Sequence, residues 1–201
     1  MTDTATLHLR ALAAVALFAE NARAKTHRPE LRGVHVTTAC DHTTYVATDG
    51  ASLMAIRRPA VNDLLGSWII PADKITALKA PRVGADEAEL SVMADGWLQI
   101  VAPDGVRVPF QPVNDMPFPD WRAVVPRTPP TNEPAAYNPD YLVRMHKAAK
   151  VASLGSPVLT YNGPTAPALV TFDGCADALG LIMPVRGDYT AEPALPAWAA
   201  R

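Results

Sequence analysis

The chain has 201 residues, 49% of them hydrophobic, and a formal net charge of −2. This suffices for the core of about one full domain and a fraction of a second. The charge balance excludes a whole-chain electrostatic case for nucleic-acid binding, so charge has to be read face by face.

In chain order, apolar alternation predicts an α+β fold in which one unit, a short strand, a helix and three strands, occurs three times. The first unit runs from Ala5 to Leu9, through a helix from Arg10 to Ala24, into strands at Val34 to Thr38, Thr43 to Thr48 and Leu53 to Arg57. In the second, Trp68-Ile69-Ile70 enters a helix from Ala72 to Ala80, with strands at Glu89 to Met93, Trp97 to Ala102 and Val106 to Phe110. The third begins at Ala135 to Asn138, has its helix from Pro139 to Ala152, and continues with Val158 to Tyr161, Ala168 to Phe172 and Leu179 to Val185. Asp41-His42, Asp49-Gly50, Asp95-Gly96, Asp104-Gly105, Asn162-Gly163 and Asp173-Gly174 separate the strands, because Asn, Asp and Gly tolerate the positive φ of tight hairpins. A repeat of about sixty residues implies stacked or paired supersecondary units.

This predicts a complete two-unit domain over residues 1–115, a Pro-rich linker over 116–134, a half domain over 135–186 and a flexible tail over 187–201. The chain's 20 prolines fall largely between units and in the tail, where they stiffen connections instead of breaking strands.

Several functions find no material here. Cys40 and Cys175 are too few for a disulfide framework, so a reducing, cytoplasmic setting is expected. Cys40-Asp41-His42 resembles half of a metal site, but no second ligand pair stands at the right spacing, and a strand turn explains it better. The run Ala11 to Ala19 makes a poor secretory signal, with only Arg10 before it and an acidic Asp3, and a core helix explains the same residues. No stretch is long enough to cross a membrane. The best raw materials for an enzyme, Asp41, His42, Asp49 and Ser52, are ordinary turn residues. With no nucleophile elbow, phosphate-cradling loop or metal pair, neither catalysis nor a cofactor is expected.

Charge is segregated onto the helices. In the third, Asn138 is a cap, Pro139 suits the first turn, and Leu142, Met145, Ala149 and Ala152 recur at core spacing. That leaves Arg144, Lys147 and Lys150 in a stripe. The second helix carries Ile75 and Leu78 inward, Lys74 and Lys79 outward, and Arg82 just beyond. At the end of the first gather Arg23, Lys25 and Arg28. One basic stripe is ordinarily a solvated face. Three net-basic helices in a slightly acidic chain point to one cationic surface, with sequence-independent affinity for duplex DNA.

Four segments resemble a known family: Val46-Ala47-Thr48-Asp49-Gly50-Ala51-Ser52-Leu53, Trp68-Ile69-Ile70-Pro71, Phe118-Pro119-Asp120-Trp121-Arg122-Ala123-Val124-Val125-Pro126 and Ile182-Met183-Pro184-Val185-Arg186. In order and approximate spacing they look like the bacterial DNA polymerase III beta subunit, the sliding clamp, in a truncated form that keeps the middle domain and half of the last. The resemblance implies a ring-forming protein without chemistry of its own, which encircles duplex DNA and tethers a polymerase. Its helices would line the hole and its sheets the outer wall. It also implies a groove for partner peptides, walled by Thr48, Gly50, Leu53, Pro119, Val124, Met183, Pro184, Val185 and Arg186. The lining fits on its own terms, since Leu53, Val124, Met183 and Val185 are apolar and adaptable, the prolines are stiff, and Arg186 can meet a carboxylate at the rim.

Two departures from the family bear on that groove. Ala51-Ser52 stands where His-Arg is usual, and Ala123 where a basic residue is expected, which removes polar rim contacts. A clamp of this family also ends near Arg186, whereas here the chain continues, with Leu195 and Trp198 as candidates to fold back into the groove. An odd number of units implies a homo-oligomer, with the third unit pairing with its copy in another chain and four chains supplying a twelve-unit ring. The alternative is a non-ring regulator or decoy that binds clamp-interacting peptides.

Overall fold

The computed structural model describes residues 3–21, 28–113, 116–127, 129–131 and 133–187. Among them, eleven strands form two antiparallel sheets. The smaller sheet has the order β1-β6-β7-β8, from β1 (Thr4–His8), β6 (Glu87–Val92), β7 (Leu98–Val101) and β8 (Arg107–Phe110). The larger has the order β5-β2-β3-β4-β11-β10-β9. Its members are β2 (Gly33–Ala39), β3 (His42–Thr48), β4 (Ser52–Pro59), β5 (Gly66–Pro71), β9 (Pro157–Thr160), β10 (Ala168–Phe172) and β11 (Cys175–Ile182). The helices are α1 (Leu9–Ala16), α2 (Ala72–Ala77) and α3 (Pro139–Val151), and α1 packs on both of the others as well as on β2, β3 and β4.

Pairings between distant strands shape both sheets. The strand before each of the first two helices lies against the strand that follows the other one: β1 pairs with β6, and β5 pairs with β2. Further along, β4 pairs with β11 over Ser52↔Ile182 to Ile56↔Ala178, which fuses the meander β2-β3-β4 to β9-β10-β11 in one continuous sheet. At that seam both faces are covered, so β4 reads as the unbroken apolar run Leu53-Met54-Ala55-Ile56 instead of alternating. Met54 and Ile56 join the main core under the helices, while Leu53 and Ala55 join a second cluster with Val46 and Leu181.

The main core is dense beneath α1. Leu7, Leu12, Val15, Phe18, Val34, Tyr45 and Ile70 are fully buried. The Tyr45 hydroxyl accepts the His8 amide at 2.7 Å, and burial pushes its pKa up. α3 approaches β11 so closely that a Cβ on Gly180 would fall 2.5 Å from Met145 Cε, so a larger residue there would force the Met145 side chain to move.

Several boundaries differ from the sequence expectation. α1 stops at Ala16 and not Ala24, because tertiary contacts override helix propensity. The Phe18 amide donates to Val15, Phe18 is drawn fully into the core, and the Glu20 amide donates to the Leu31 carbonyl at 2.7 Å. α2 ends at Ala77, with Lys79 at φ 46°. Pro81 disfavours helical geometry at Ala80. The strand expected at Ala135 to Asn138 reduces to one bridge, Ala136 to Val185. β11 starts at Cys175, where Leu179 was expected, held at that end by the Arg57–Asp177 ion pair of 2.6 Å. α3 matches closely. Asn138 Oδ1 accepts the Asp140 amide at 2.9 Å, and Met145, Ala149 and Ala152 are buried, with Leu142 packed against the core.

No helix among the described residues is long and apolar enough to cross a membrane. Asp41 and His42 pair with each other at 2.7 Å at the β2-β3 turn, and no group of three metal-ligating side chains occurs among the described residues.

Candidate functional site

On the outer face of the seam, Val46, Leu53, Ala55 and Leu181 form a buried apolar floor. Over it lies the segment 117–125. Phe118 stacks on His35 with ring centroids 4.6 Å apart and 4° between planes, and Asp120 caps a 3₁₀ turn over Trp121–Val124 by accepting the Arg122 amide at 3.2 Å. His35 is anchored in turn by Ser67 Oγ at 2.6 Å. Burial first, and the nearby Arg122 second, push its pKa below the usual histidine value. The Arg122 guanidinium lies 4.4 Å above the Trp121 ring.

Beside this turn a cavity of about 210 Å³ opens. Thr48, Gly50, Leu53, Pro119, Val124 and Met183, six of the nine residues assigned to the groove from sequence, line it together. The other three, Pro184, Val185 and Arg186, follow the end of β11 and do not line the cavity. The Val185 amide donates to Ala136 at 2.8 Å, and Arg186 is exposed. Sequence reasoning missed Arg28, Leu31, Trp121, Pro167 and Leu181, which also line the cavity. Leu181 was accessible by strand parity, since it shares a face with Met183 two positions on. Arg28 gave no such signal. Assigned to the basic end of the first helix, it stands instead beside the Thr48–Gly50 turn, with Nη1 3.7 Å from the Cβ position of Gly50.

The turn that walls the cavity is heavily cross-bonded. Thr48 Oγ1 donates to the Ser52 carbonyl at 2.8 Å and accepts the Gly50 amide at 3.0 Å. Asp49 Oδ1 accepts the amides of Ala51 at 3.0 Å and Ser52 at 2.7 Å, together with Ser52 Oγ at 3.1 Å. Gly50 sits at φ +86°, which explains the glycine after the aspartate.

On the helix side a larger concavity of about 830 Å³ is floored by Ala13, Ala16, Ala72 and Ile75 and rimmed by Arg10, Lys79, Arg82 and Lys150. Three of the nine residues assigned to a DNA-facing surface, Lys79, Arg82 and Lys150, thus come together from the segment after α2 and from α3. Arg10 was not expected there, and it is tied to Asp86 at 3.0 Å. Hydrogen bonding to Asp86 raises the Arg10 pKa. For Asp86 burial pulls upward, but the bonds from Arg10 prevail and hold its carboxyl below the usual value. Lys74 pairs with Asp73 at 3.4 Å, and Lys147 is exposed, but neither lines the concavity. Arg144 is partly buried and already engaged: its guanidinium donates to Asp49 Oδ2 at 2.5 Å and lies over Phe18 and Tyr141. Arg23 and Lys25, like Leu195 and Trp198 of the tail, lie outside the described residues.

Neither a family model nor a curated protein sequence matches the chain. Among solved structures, it is similar to the DNA polymerase III beta subunit of Thermotoga maritima, with a TM-score of 0.69 at 12% sequence identity. The match covers 92% of this chain and 66% of that one. The two molecules therefore share a strand-rich, clamp-like fold, which this chain builds with a different sequence and over part of the length.

Proposed function

We propose that this chain is a minimal sliding-clamp-like processivity factor. It encircles duplex DNA without reading sequence, and it recruits a polymerase or other partners by holding their short peptides in the groove at the β4-β11 seam. One observation carries this: Thr48 to Leu53, Pro119 to Val124 and Leu181 to Met183, far apart in the chain, wall one apolar cavity. A concave pocket of this kind, with an apolar floor and a few fixed polar groups, suits aromatic or leucine anchors. The cations at Lys79, Arg82 and Lys150 supply the helix face with salt-dependent affinity for phosphates.

The ring follows from the number of units. In this reading the chain is one complete two-unit domain plus a half domain. Among the described residues β9 is the last strand of the larger sheet and no strand lies before α3 to cover it, although the Thr131 amide donates to the Tyr161 carbonyl at 3.1 Å just past its end. A free edge is a pairing surface, and pairing of the third unit with its copy would complete the second domain. Four such chains would close a ring of twelve units, with no cofactor and no reaction. Light scattering from micromolar to nanomolar protein tests this, with a tetramer expected. The decisive companion is retention on circular but not linear duplex DNA.

A second reading, the non-ring regulator of clamp-binding peptides, is favoured by the charge pairing of two helix-side arginines. Arg10 is held by Asp86 and Arg144 by Asp49, so the helix face offers DNA fewer free cations than its composition suggests. A monomer that binds a groove peptide but shows no topological retention on circular DNA would establish that reading over the ring.

A further inference from the structure

The groove's wall is held from the other side of the sheet. Asp49 contributes no surface to the groove. Its carboxylate faces a separate cavity of about 520 Å³ on the helix side, which it lines with Tyr141 and Arg144. One oxygen, Oδ1, fixes the turn through Ala51 and Ser52. The other, Oδ2, is taken by Arg144 Nη1, which also donates to Ser52 Oγ at 3.1 Å. Side-chain exposures of 28% for Arg144 and 17% for Asp49 put this pair partly out of water, where a charged hydrogen bond keeps more of its strength than at the surface. The guanidinium is itself fixed, 5.2 Å from the Tyr141 ring and 5.6 Å from that of Phe18. It therefore reaches Asp49 with little freedom left to lose.

From this geometry we infer that Arg144 is a positioning residue for the groove: from α3, and acting through Asp49, it sets the Thr48–Leu53 wall against which a bound peptide packs. The inference rests on the peptide-groove reading and adds a determinant that touches no ligand. The wall and the residue that fixes it lie on different elements, the β3-β4 turn and α3, so the groove is ready for a ligand only when α3 is docked against the first helix. Pre-set walls favour binding by removing the ordering cost at association, and loss of that order appears mainly in the dissociation rate.

The test uses the full chain and a fluorescein-labelled, amidated Leu-Ser-Leu-Phe peptide, followed by anisotropy. Asp49→Asn keeps an oxygen to accept the turn amides and removes the charge that Arg144 pairs with, while Arg144→Gln removes the guanidinium. Each is expected to weaken binding about 10-fold, mostly through faster dissociation, with Arg144→Lys recovering most of the loss. The double variant Asp49→Asn/Arg144→Gln is decisive. It leaves no unpaired charge, so its melting temperature recovers towards wild type, whereas its peptide affinity stays as low as that of either single variant. Affinity that recovers together with melting would show a merely structural pair and overturn the inference. Should Arg144→Gln fail to fold, faster amide exchange at Ala51 and Ser52 in Asp49→Asn supports the inference, and unchanged exchange with unchanged affinity overturns it. Val124→Glu separates the two levels. Probe binding that Val124→Glu abolishes but Asp49→Asn leaves intact overturns only the positioning role, whereas a wild-type chain that does not bind the probe overturns the groove reading as well.

Discussion

The groove and the helix face lie on opposite sides of the larger sheet and differ in their physics. The groove is small and apolar, and its turn is locked by hydrogen bonds from Thr48, Asp49 and Ser52. What it can select is shape. The helix face is a broad concavity whose cations stand on separate elements, and one of them, Arg10, is already paired. It can attract phosphate but cannot select a sequence. Under the proposed clamp function, such a division would combine indifference to DNA sequence with selectivity among partner peptides.

Breaking the helix side should give the largest effect. Replacing Lys79, Arg82 and Lys150 together with alanine is expected to flatten the salt dependence of duplex binding by about three units of logarithmic slope, with peptide binding unchanged. Equilibrium titrations at several salt concentrations measure it, and an unchanged slope would remove the helix face from the argument. Next comes the groove itself. Met183→Ala, which trims a half-exposed wall without opening the core, should weaken an aromatic-leucine peptide roughly 10-fold and leave DNA binding alone. Asn138→Ala should cost about 1 kcal/mol of stability through the lost cap on α3, read as a lower denaturant midpoint.

The smallest effect sharpens the comparison from the side of the linker. His35 has its pKa lowered in the folded chain, so the unfolded chain binds the extra proton first as pH falls. The stability contributed by neutral His35 is therefore complete above the unfolded histidine value and is lost progressively as pH drops through it towards the folded value. Denaturant unfolding between neutral and mildly acidic pH should show that decline in wild type and a flatter profile in His35→Phe, which retains the stack on Phe118.

Elements whose signal is local were legible in the sequence. α3 announced itself with Asn138, Pro139 and a core stripe, and the Asp-Gly pairs marked strand turns that the structure contains, such as that at Asp49-Gly50. Thr48, Gly50, Leu53, Pro119, Val124 and Met183 were assigned together from the resemblance of short motifs, and the fold brings them to one cavity. What could not be read was whatever depends on distant partners. α1 has helix-forming residues well past Ala16, and the burial of Phe18 together with the bond from Glu20 to Leu31 shows why it stops. Arg144 looked like one more outward cation at helical spacing, because nothing in the letters reveals that Asp49 lies within reach. Arg28 is placed by the 3₁₀ turn at Pro29–Leu31, a piece of backbone no periodicity foretells.

The exchange of first strands, β1 onto β6 and β5 onto β2, also fixes an order of events at the ribosome. Thr4–His8 is made well before its partner and has no strand to join in its sheet until Glu87–Ser91 has followed. β4 must wait longer still, for β11 to complete its seam. A nascent chain of this design exposes unpaired edges until those later strands are made, and closing such distant pairs is slow. Closure of both sheets is thereby deferred until β6 and β11 have been made, and a product cut short before β6 leaves β1 without its partner.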